Sequence, residues 1–272
     1  MKIFKNKSLL LNELKNSKNL SFVPTMGGFH AGHKSLIIKA KKKSKKVIVS
    51  IYVNPKQFNS KKDFKMYPRN LNKDISILKK LKIDILYLPN YNDIYNFKTK
   101  KKIFLDKFHT KLCGKYRPNH FWGVINIINR FLEIINPKYM FLGKKDYQQL
   151  YLIKEHIKKN MIQTKIISCN TIRENNGIPC STRNSNLTKE NYLIASKVIK
   201  FLKKLKCSIK KNKKIIFNEK QIIKKLEAIG VTKTDYIKLL ELNSLNTAIN
   251  SKKKFSIFVA FYLKNTRLID NF

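Results

Sequence analysis

The chain of 272 residues has only 16 acidic side chains against 59 basic ones, and it is also poor in glycine (8), proline (7) and cysteine (4). Its cysteines include no Cys-x-x-Cys pair, so the sequence predicts neither a zinc site nor a redox dithiol. Scattered single cysteines are typical of reduced thiols, and we therefore expect a cytoplasmic protein. The sequence contains no internal repeat and no long low-complexity linker.

Long hydrophobic runs are missing as well. The longest late apolar stretch, Phe255 to Leu263, is far shorter than a membrane span, which needs about 20 residues. The N-terminus reaches Glu13 before any adequate apolar run, which excludes a secretory signal. A chain of this length buries roughly 70 to 75 per cent of its surface, so we expect one or two domains with a core that needs no disulfide. We expect no membrane partner.

The net charge of +43 usually points to nucleic acid or an anionic membrane. Arginine occurs at only six positions, however, and all other basic residues are lysines spread along the chain. The arginine guanidinium can make two hydrogen bonds at once to a phosphate or a guanine, so a dedicated nucleic-acid-binding protein with so little arginine would be unusual. The composition therefore favours a solvated lysine surface produced by coding drift, with no specific nucleic-acid partner. A non-catalytic protein that binds nucleic acid through its basic surface stays open as an alternative.

Residues 24–33, PTMGGFHAGH, form the most informative motif. They follow an apolar run and precede apolar residues at helical spacing. Pro24 and the glycine pair are expected to stop a strand, so that His30 and His33 stand at a helix N-terminus. Free backbone amides and the helix dipole attract phosphate oxygens there, and glycines let the main chain come close. The motif predicts a nucleotide-phosphate site.

Two different phosphate loops do not fit this motif. Gly27 and Gly32 have Walker spacing, but His33 stands where that loop needs lysine, and Lys34 comes one residue later. One residue of slip turns a helical side chain by about 100°, so Lys34 would point away. The glycines also lack the Gly-x-Gly-x-x-Gly spacing. The alternative is that both histidines are ordinary surface residues after a glycine-rich turn.

Apolar runs and helical patterns alternate over most of the chain. Strands are predicted near residues 20–23, 47–53, 83–88, 139–142 and 165–172, and helices near 34–40, 71–81, 121–135 and 146–159. This alternation predicts an α/β fold, a Rossmann-like parallel sheet with helices on both faces. Beyond it, helices near 195–205 and 219–229 and strands near 236–242 and 255–263 predict a small α+β domain. We therefore predict a catalytic domain, 1–183, and a C-terminal lid domain, 184–272.

Polar clusters follow the predicted strands. His30 and His33 come after the first strand, residues 54–57 after the second, residues 143–146 after a later one and Arg173 after the last. Ligands of parallel sheets bind beyond the carboxyl ends of the strands. We therefore expect these clusters to form one site.

Together, these segments resemble the pantothenate synthetase family, the pantoate–β-alanine ligases of the HIGH-motif nucleotidyltransferase superfamily. The resemblance covers nearly the whole chain and rests on the order and spacing of its motifs. These are VPTMGGFHAGHKSL (23–36), VSIYVNPKQF (49–58), Tyr67-Pro68-Arg69, YRPNHFWGV (116–124), FLGKKDYQQL (141–150), TIRENNGIPCSTRNSNLT (171–188) and RLIDN (267–271).

The resemblance implies an ATP-dependent condensation of (R)-pantoate with β-alanine. The pantoate carboxylate would attack the α-phosphate of ATP, giving pantoyl adenylate and pyrophosphate, and the amine of β-alanine would then displace AMP. The family is usually a homodimer. Mg²⁺ is expected to bridge phosphate oxygens with few protein ligands of its own, and the sequence shows no multi-residue metal cage.

The resemblance also implies the site residues. ATP contacts are expected from Met26, Gly27, Gly28, Phe29, His30, Ala31, Gly32, His33, Gly143, Lys144, Lys145, Asp146, Ile172, Cys180, Ser181, Thr182 and Arg183. Cations or donors must meet the departing pyrophosphate, and the expected catalytic residues are His33, His30, Lys145 and Arg183. The residues expected to hold the organic substrates are Gln57, Gln149 and Asn54. Their neutral amides can orient a carboxylate without adding a charge that would lower its nucleophilicity.

The chain departs from the family pattern at two places. Cys180-Ser181-Thr182-Arg183 stands where the family has a small or aliphatic residue before Ser-Ser-Arg, and Asn119 replaces a glycine. Threonine keeps the hydroxyl and asparagine tolerates the left-handed conformation, so we expect activity to survive.

Alternatives stay open for single residues and for the class of enzyme. Taken alone, Gln57 would be a loop residue, Gln149 a helix-surface residue, Lys145 one lysine among many and Asp146 a helix cap. A different HIGH-motif nucleotidyltransferase or an aminoacyl-tRNA-synthetase-like enzyme would explain the charge. Such an enzyme needs a Lys-Met-Ser-Lys-Ser-like loop and an RNA-reading domain, and residues 180–183 and the small C-terminal part offer neither.

Overall fold

The computed structural model describes residues 1–211, 216–242, 244–249 and 253–272. The chain divides into two compact units, Met1–Ile172 and Arg173–Phe272. The division falls before the boundary predicted at residue 183, so that residues 173–183 are part of the second unit. Arg173 donates two hydrogen bonds to the carboxylate of Asp270, at 2.7 and 2.9 Å, and pairs with Pro179 in an isolated β-bridge.

The first unit alternates strands and helices, as predicted. Its strands are β1 (Lys2–Phe4), β2 (Leu20–Thr25), β3 (Lys46–Ile51), β4 (Ile85–Tyr87), β5 (Tyr139–Gly143) and β6 (Lys165–Cys169). Its helices are α1 (Lys7–Leu14), α2 (Ala31–Lys43), α3 (Lys61–Met66), α4 (Leu71–Lys80), α5 (Tyr91–Tyr95), α6 (Cys113–Tyr116), α7 (His120–Ile135) and α8 (Tyr147–Lys159). Short 3-10 turns cover Pro55–Gln57, Lys107–Thr110 and Lys144–Asp146.

The six strands form one parallel sheet in the order β1-β4-β3-β2-β5-β6. The predicted parallel sheet is therefore confirmed. The chain builds outward from β2 in one direction through β3 and β4, and in the other through β5 and β6. The strand order thus reverses between β2 and β5, and such a reversal opens a crevice at the carboxyl ends of the strands.

Helices cover both faces of this sheet, because successive side chains of a strand point to opposite faces. On one face, Val23 of β2 and Val49 of β3 belong to a buried cluster with Ile37 of α2 and Leu78 of α4. On the other face, the ring of Phe22 lies 5.4 Å from that of Phe131 in α7. The two faces account for the nearly continuous apolar runs of the central strands.

Several strand ends differ from the prediction. β3 ends at Ile51 instead of residue 53, and β4 covers only Ile85–Tyr87 of the predicted 83–88. β2 continues through Pro24 to Thr25 instead of stopping at the proline. β2 pairs with β5 only through Ser21 and Phe22, so at Pro24 the strand has β3 as its sole ladder partner in the described sheet. With one side of the strand unpaired there, the proline, which has no backbone N–H, is tolerated. β6 ends at Cys169 instead of Ile172, because its pairing with β5 ends there.

The second unit is the predicted α+β structure. It contains α9 (Lys189–Lys211), α10 (Glu219–Ile229), β7 (Lys233–Glu241), β8 (Phe255–Leu263) and β9 (Thr266–Asn271), with a 3-10 turn at Thr182–Asn186. The strands form an antiparallel sheet in the order β7-β8-β9. Asn218 caps the start of α10, and Gly230 ends it with a φ of 115°.

The RLIDN segment lies in β9, and its charged residues form buried ion pairs. The carboxylate of Asp270 accepts from Arg173, and that of Asp235 accepts from Arg267 Nε at 2.8 Å. Both carboxylates have side chains only 1% exposed. These ion pairs link β9 to Arg173 and to β7 within the second unit.

None of the helices in the described residues is both long enough and apolar enough to cross a membrane.

Candidate active site

His30 and His33 stand at the N-terminus of α2, as the spacing predicts. The chain leaves β2 at Thr25 and turns through Gly27 and Gly28, whose φ angles of 78° and 65° are in the left-handed region that favours glycine. His30 is the N-cap residue of α2, and its Nδ1 accepts a hydrogen bond from the Gly32 amide at 3.1 Å. The two imidazole rings stack with their centroids 4.0 Å apart.

The backbone amides of the glycine turn are bonded within the protein. The Gly27 amide donates to Thr25 Oγ1 at 3.2 Å. The Gly28 and Phe29 amides donate to the two carboxylate oxygens of Asp74, at 2.8 and 3.0 Å. The glycine turn makes room for this carboxylate, because a Cβ on Gly27 would lie only 2.7 Å from Asp74 Oδ2.

The two histidines are neutral at physiological pH. Burial, followed by the nearby charge of Lys145, lowers the pKa of His30 to about 4. Burial, followed by the neighbouring His30 and Lys145, lowers the pKa of His33 to about 3. Neutral imidazoles act as hydrogen-bond donors or acceptors and not as cations.

The proton positions of both rings can be inferred from their contacts. Nδ1 of His30 is an acceptor, so the proton of the neutral ring lies on Nε2. Nδ1 of His33 is buried without a hydrogen-bond partner in the described part of the chain. A buried N–H without an acceptor is rarer than an underused acceptor, so we assign the His33 proton to Nε2 as well.

Lys145 supplies the positive charge beside the histidines. It lies in the 3-10 turn that directly follows β5, across the crevice from the turn that follows β2. Its Nζ is 3.7 Å from Asp146 Oδ1. Asp146 occupies the N-cap position of α8 but makes no side-chain capping hydrogen bond there. Lys144 donates to Asn170 Oδ1 at 2.8 Å.

Gln57 is brought to the glycine turn from the segment that follows β3. Its Nε2 lies 3.0 Å from the Sδ of Met26, and its side chain is almost buried. The sequence expectation that these separate segments meet is therefore fulfilled for Met26 and Gln57.

Asn54 is 1% exposed, and its amide group is occupied by the protein itself. Its Oδ1 accepts from the Lys56 amide at 3.2 Å and from the Tyr95 hydroxyl at 2.8 Å. Its Nδ2 donates to the Gly123 carbonyl at 3.0 Å and to Gln57 Oε1 at 3.4 Å. This arrangement supports Gln57 and leaves little of Asn54 for a substrate.

Helix α7 holds the backbone of Gln57. The Gln57 carbonyl accepts from His120 Nδ1 at 2.7 Å and from Arg117 at 3.3 Å, and Arg117 also contacts His120 Nε2 at 3.1 Å. A Cβ on Gly123 would lie 2.2 Å from the Lys56 carbonyl, so α7 approaches this segment as closely as only glycine permits. Asn119, which begins α7, has a φ of 63°, the left-handed conformation expected where the family has glycine.

The adjacent glutamines of α8 have different environments. Gln148 is 6% exposed and binds three backbone groups, donating to the carbonyls of Phe108 and Lys111 at 2.8 Å each and accepting from the Cys113 amide at 3.0 Å. Gln149 points elsewhere on the helix and is half-buried. The sequence expectation of a substrate contact concerns Gln149 and stays a prediction.

The remaining predicted ATP contacts lie in three places. Gly143 ends β5 and faces open space, because a Cβ there would meet no atom within 4 Å. Ile172 is the last residue of the first unit, and residues 180–183 belong to the second. There, Ser181 Oγ accepts from the Arg183 amide at 3.3 Å and begins the 3-10 turn. Their role towards ATP stays a prediction.

Sequence reasoning missed Asp74, which is 2% exposed and reaches the glycine turn from α4. The sequence offers one signal for Asp74, which is an acidic residue in the first turn of a predicted helix in a chain with few acidic residues. That signal suggests only a favourable interaction with the helix dipole. Within the described residues, no group of three or more His, Cys, Asp or Glu side chains could hold a metal ion.

The glycine turn leads to a His-x-x-His pair at a helix N-terminus, beside the point where the strand order of the parallel sheet reverses. Such an arrangement is suited to binding the phosphates of a nucleotide. A sequence model of the family described as pantoate-beta-alanine ligase matches residues 2–272. The chain belongs to the pantoate–β-alanine ligase family, whose members are also named pantothenate synthetases.

Individual relatives agree with this assignment. The chain is 37% identical over 270 residues to the pantothenate synthetase of Clostridium botulinum (strain ATCC 19397 / Type A), covering 98% of this chain and 96% of that one. It is 40% identical over 265 residues to that of Francisella tularensis subsp. novicida (strain U112), covering 96% and 92%.

Solved structures of such ligases share the fold. The pantoate-beta-alanine ligase from Francisella tularensis, complexed with beta-gamma ATP and beta-alanine, has a TM-score of 0.85 at 38% identity and covers 100% of this chain and 97% of its own. The pantothenate synthetase from Thermus thermophilus has a TM-score of 0.90 at 26% identity, with 100% and 99% covered.

Proposed function

We propose that this ligase joins pantoate to β-alanine through a pantoyl adenylate. A carboxylate oxygen of pantoate attacks the α-phosphorus of ATP, and the bond from that phosphorus to the bridging oxygen breaks, releasing pyrophosphate. The β-alanine nitrogen then attacks the acyl carbon. The carbon–oxygen bond breaks, AMP departs with that oxygen, and the nitrogen loses a proton. The ATP and β-alanine bound to the Francisella tularensis relative support the assignment of these two substrates.

The observation that carries the proposal is the convergence of donors from three strand ends. The imidazoles of His30 and His33 follow β2, Gln57 follows β3 and touches Met26, and Lys145 follows β5 and lowers the pKa of both imidazoles. Fixed donors of this kind stabilise the charge that develops on a departing pyrophosphate. In this proposal Lys145 is a cation at the departing pyrophosphate, and His30 and His33 are neutral donors. The expected role of Arg183 at the same group stays a prediction.

The organic acid would lie against the glutamines. Gln57 and Gln149 offer neutral amides that can orient hydroxyl groups and the attacking carboxylate. Asn54 acts on Gln57 and not on the substrate, because its own amide is already bonded within the protein. ATP is expected to arrive with Mg²⁺ on its phosphate oxygens. The homodimer and the cytoplasmic location stay predictions.

An isotope experiment tests the route. Pantoate labelled with ¹⁸O in its carboxylate is incubated with the enzyme, Mg·ATP and β-alanine, and the products are analysed by mass spectrometry. The adenylate route transfers one labelled oxygen to AMP, because the carboxylate oxygen stays on phosphorus when the amide forms. Formation of ADP and labelled inorganic phosphate would instead indicate an acyl phosphate and reject the proposal.

A further inference from the structure

The glycine turn after β2 contains an anion supplied by the chain itself. Gly27 and Gly28 both have positive φ, and the successive amides of Gly28 and Phe29 point to one place. Successive amides in such a conformation form a concave anion-binding nest. The carboxylate of Asp74 fills this nest, with one oxygen on each amide, and it is 2% exposed.

Helix α4 presents this carboxylate in a fixed position. The Asn70 side chain caps the helix by accepting from the Lys73 amide at 3.0 Å, and the Asp74 amide donates to the Asn70 carbonyl at 2.9 Å. A carboxylate near a helix N-terminus is also favoured by the helix dipole. The position of the glycine turn is therefore set by α4 as well as by β2.

The turn transmits this position to the two histidines. Phe29, whose amide is held by Asp74, places its ring 5.3 Å from the ring of His33 in an edge-on contact, and His30 is the next residue. The rings of His30 and His33 are stacked on each other. A shift of the Gly28–Phe29 peptide would therefore move both imidazoles.

We propose that Asp74 is a positioning residue for the nucleotide, an inference that rests on the proposed function of the turn. By occupying the Gly28 and Phe29 amides, Asp74 excludes the ATP phosphates from the nest and leaves them to the side chains of His30, His33 and Lys145. By fixing the turn, it sets the direction of the two imidazole donors.

The test compares Asp74→Ala and Asp74→Asn with Asp84→Asn, a control that matches the second of these changes. Asp84 also accepts from a backbone amide, that of Val47 at 2.8 Å, but it lies at the opposite, amino end of the strands. For Asp74→Ala we expect kcat/KM for ATP to fall by about tenfold to a hundredfold, because small misplacements of donors are costly, while the KM for pantoate stays nearly constant. For Asp84→Asn we expect wild-type kinetics for both substrates.

Formate provides a readout that a merely structural role would not move. Asp74→Ala leaves an empty nest of the size of one carboxylate, so millimolar formate should restore part of its activity with ATP. The Asp74→Asn variant keeps one acceptor oxygen and fills the space, so we expect an intermediate KM for ATP and no response to formate. Wild type and Asp84→Asn should not respond either.

The outcomes separate this inference from the proposed function. Wild-type formation of ¹⁸O-labelled AMP supports the function whatever the variants do, and its absence rejects the function. With an active wild type, unchanged ATP kinetics in folded Asp74→Ala would overturn the role of Asp74, as would a loss that formate leaves unaltered. If Asp74→Ala does not fold, Asp74→Asn decides, and wild-type ATP kinetics in that variant reject the inference.

Discussion

The imidazole of His33 lies against that of His30, with ring centroids 4.0 Å apart. Each ring is held neutral by burial and by nearby positive charge, and a proton on one ring would oppose a proton on the other. The pair is therefore a set of two aligned donors whose charge does not change near neutral pH. A single exposed histidine would switch its charge in this range.

The first prediction concerns the acid side of the pH profile. With pKa values of about 4 and about 3, His30 and His33 stay neutral as the pH falls from neutrality to about pH 5. We expect kcat/KM for ATP to show no acid limb from these groups in that range. Steady-state rates in a series of buffers at constant ionic strength measure this. An acid limb near pH 6.5 that disappears in His30→Gln or His33→Gln would contradict the neutral pair.

The second prediction tests the tautomer of His33. The amide nitrogen of glutamine can stand in for Nε2 of histidine, whereas that of asparagine stands nearer to Nδ1. If the donor is Nε2–H, His33→Gln should keep about tenfold more activity than His33→Asn, and His33→Asn should lose on the order of a hundredfold. Single-turnover formation of pyrophosphate measures the step directly. The reverse order of the two variants would move the proton to Nδ1.

The third prediction separates the neighbouring glutamines of α8. Gln148→Ala removes three hydrogen bonds and leaves buried backbone groups unpaired, so the free energy of unfolding should fall by about 2 to 4 kcal/mol. Gln149→Ala should change it by less than about 0.5 kcal/mol and raise the KM for pantoate. Urea unfolding and steady-state kinetics on both variants measure the two effects. A loss of stability in Gln149→Ala with unchanged kinetics would contradict the prediction, because it would give Gln149 the structural role that we assign to Gln148.

The fourth prediction concerns stability in acid. His156 is fully buried between the Phe104 amide, which donates to its Nδ1, and Asn129 Oδ1. Burial lowers its pKa from 6.5 to about 4. As the pH falls, His156 is therefore protonated in the unfolded chain before it is protonated in the folded one. Its contribution to the free energy of unfolding is fully present above about pH 6.5 and is lost as the pH falls towards 4.

This loss should amount to about 3 kcal/mol from His156 alone. His30 and His33 titrate in the same direction and add to the loss, so the comparison needs a variant. His156→Gln cannot be protonated, and its free energy of unfolding should decline less steeply between pH 6.5 and 4. Denaturant unfolding at several pH values measures the slopes. Equal slopes in the variant and the wild type would show that His156 does not titrate on unfolding.

The sequence predicts the sheet well because β-branched runs ended by turn residues are strong local signals. It does not predict β1, which has only three residues and so shows no clear alternation. Local sequence also favours an end of β2 at Pro24, but whether a proline ends a strand depends on its neighbours in the sheet, and those are not visible along the chain.

The site is predictable in position more than in mechanism. The order of the motifs places His30 and His33 at a helix N-terminus and brings Gln57 to the glycine turn. The occupied amides, the neutral imidazoles and the internal bonding of Asn54 follow from burial and from long-range contacts such as that with Asp74. Neither spacing nor composition contains that information.

The carboxylate of Asp74 gives the glycine turn its shape before any nucleotide arrives. The entropy of ordering this loop is therefore lost once, on folding, and not at each binding event, so the incoming triphosphate meets a rigid surface. We expect the turn to have the same conformation in the empty and the loaded enzyme.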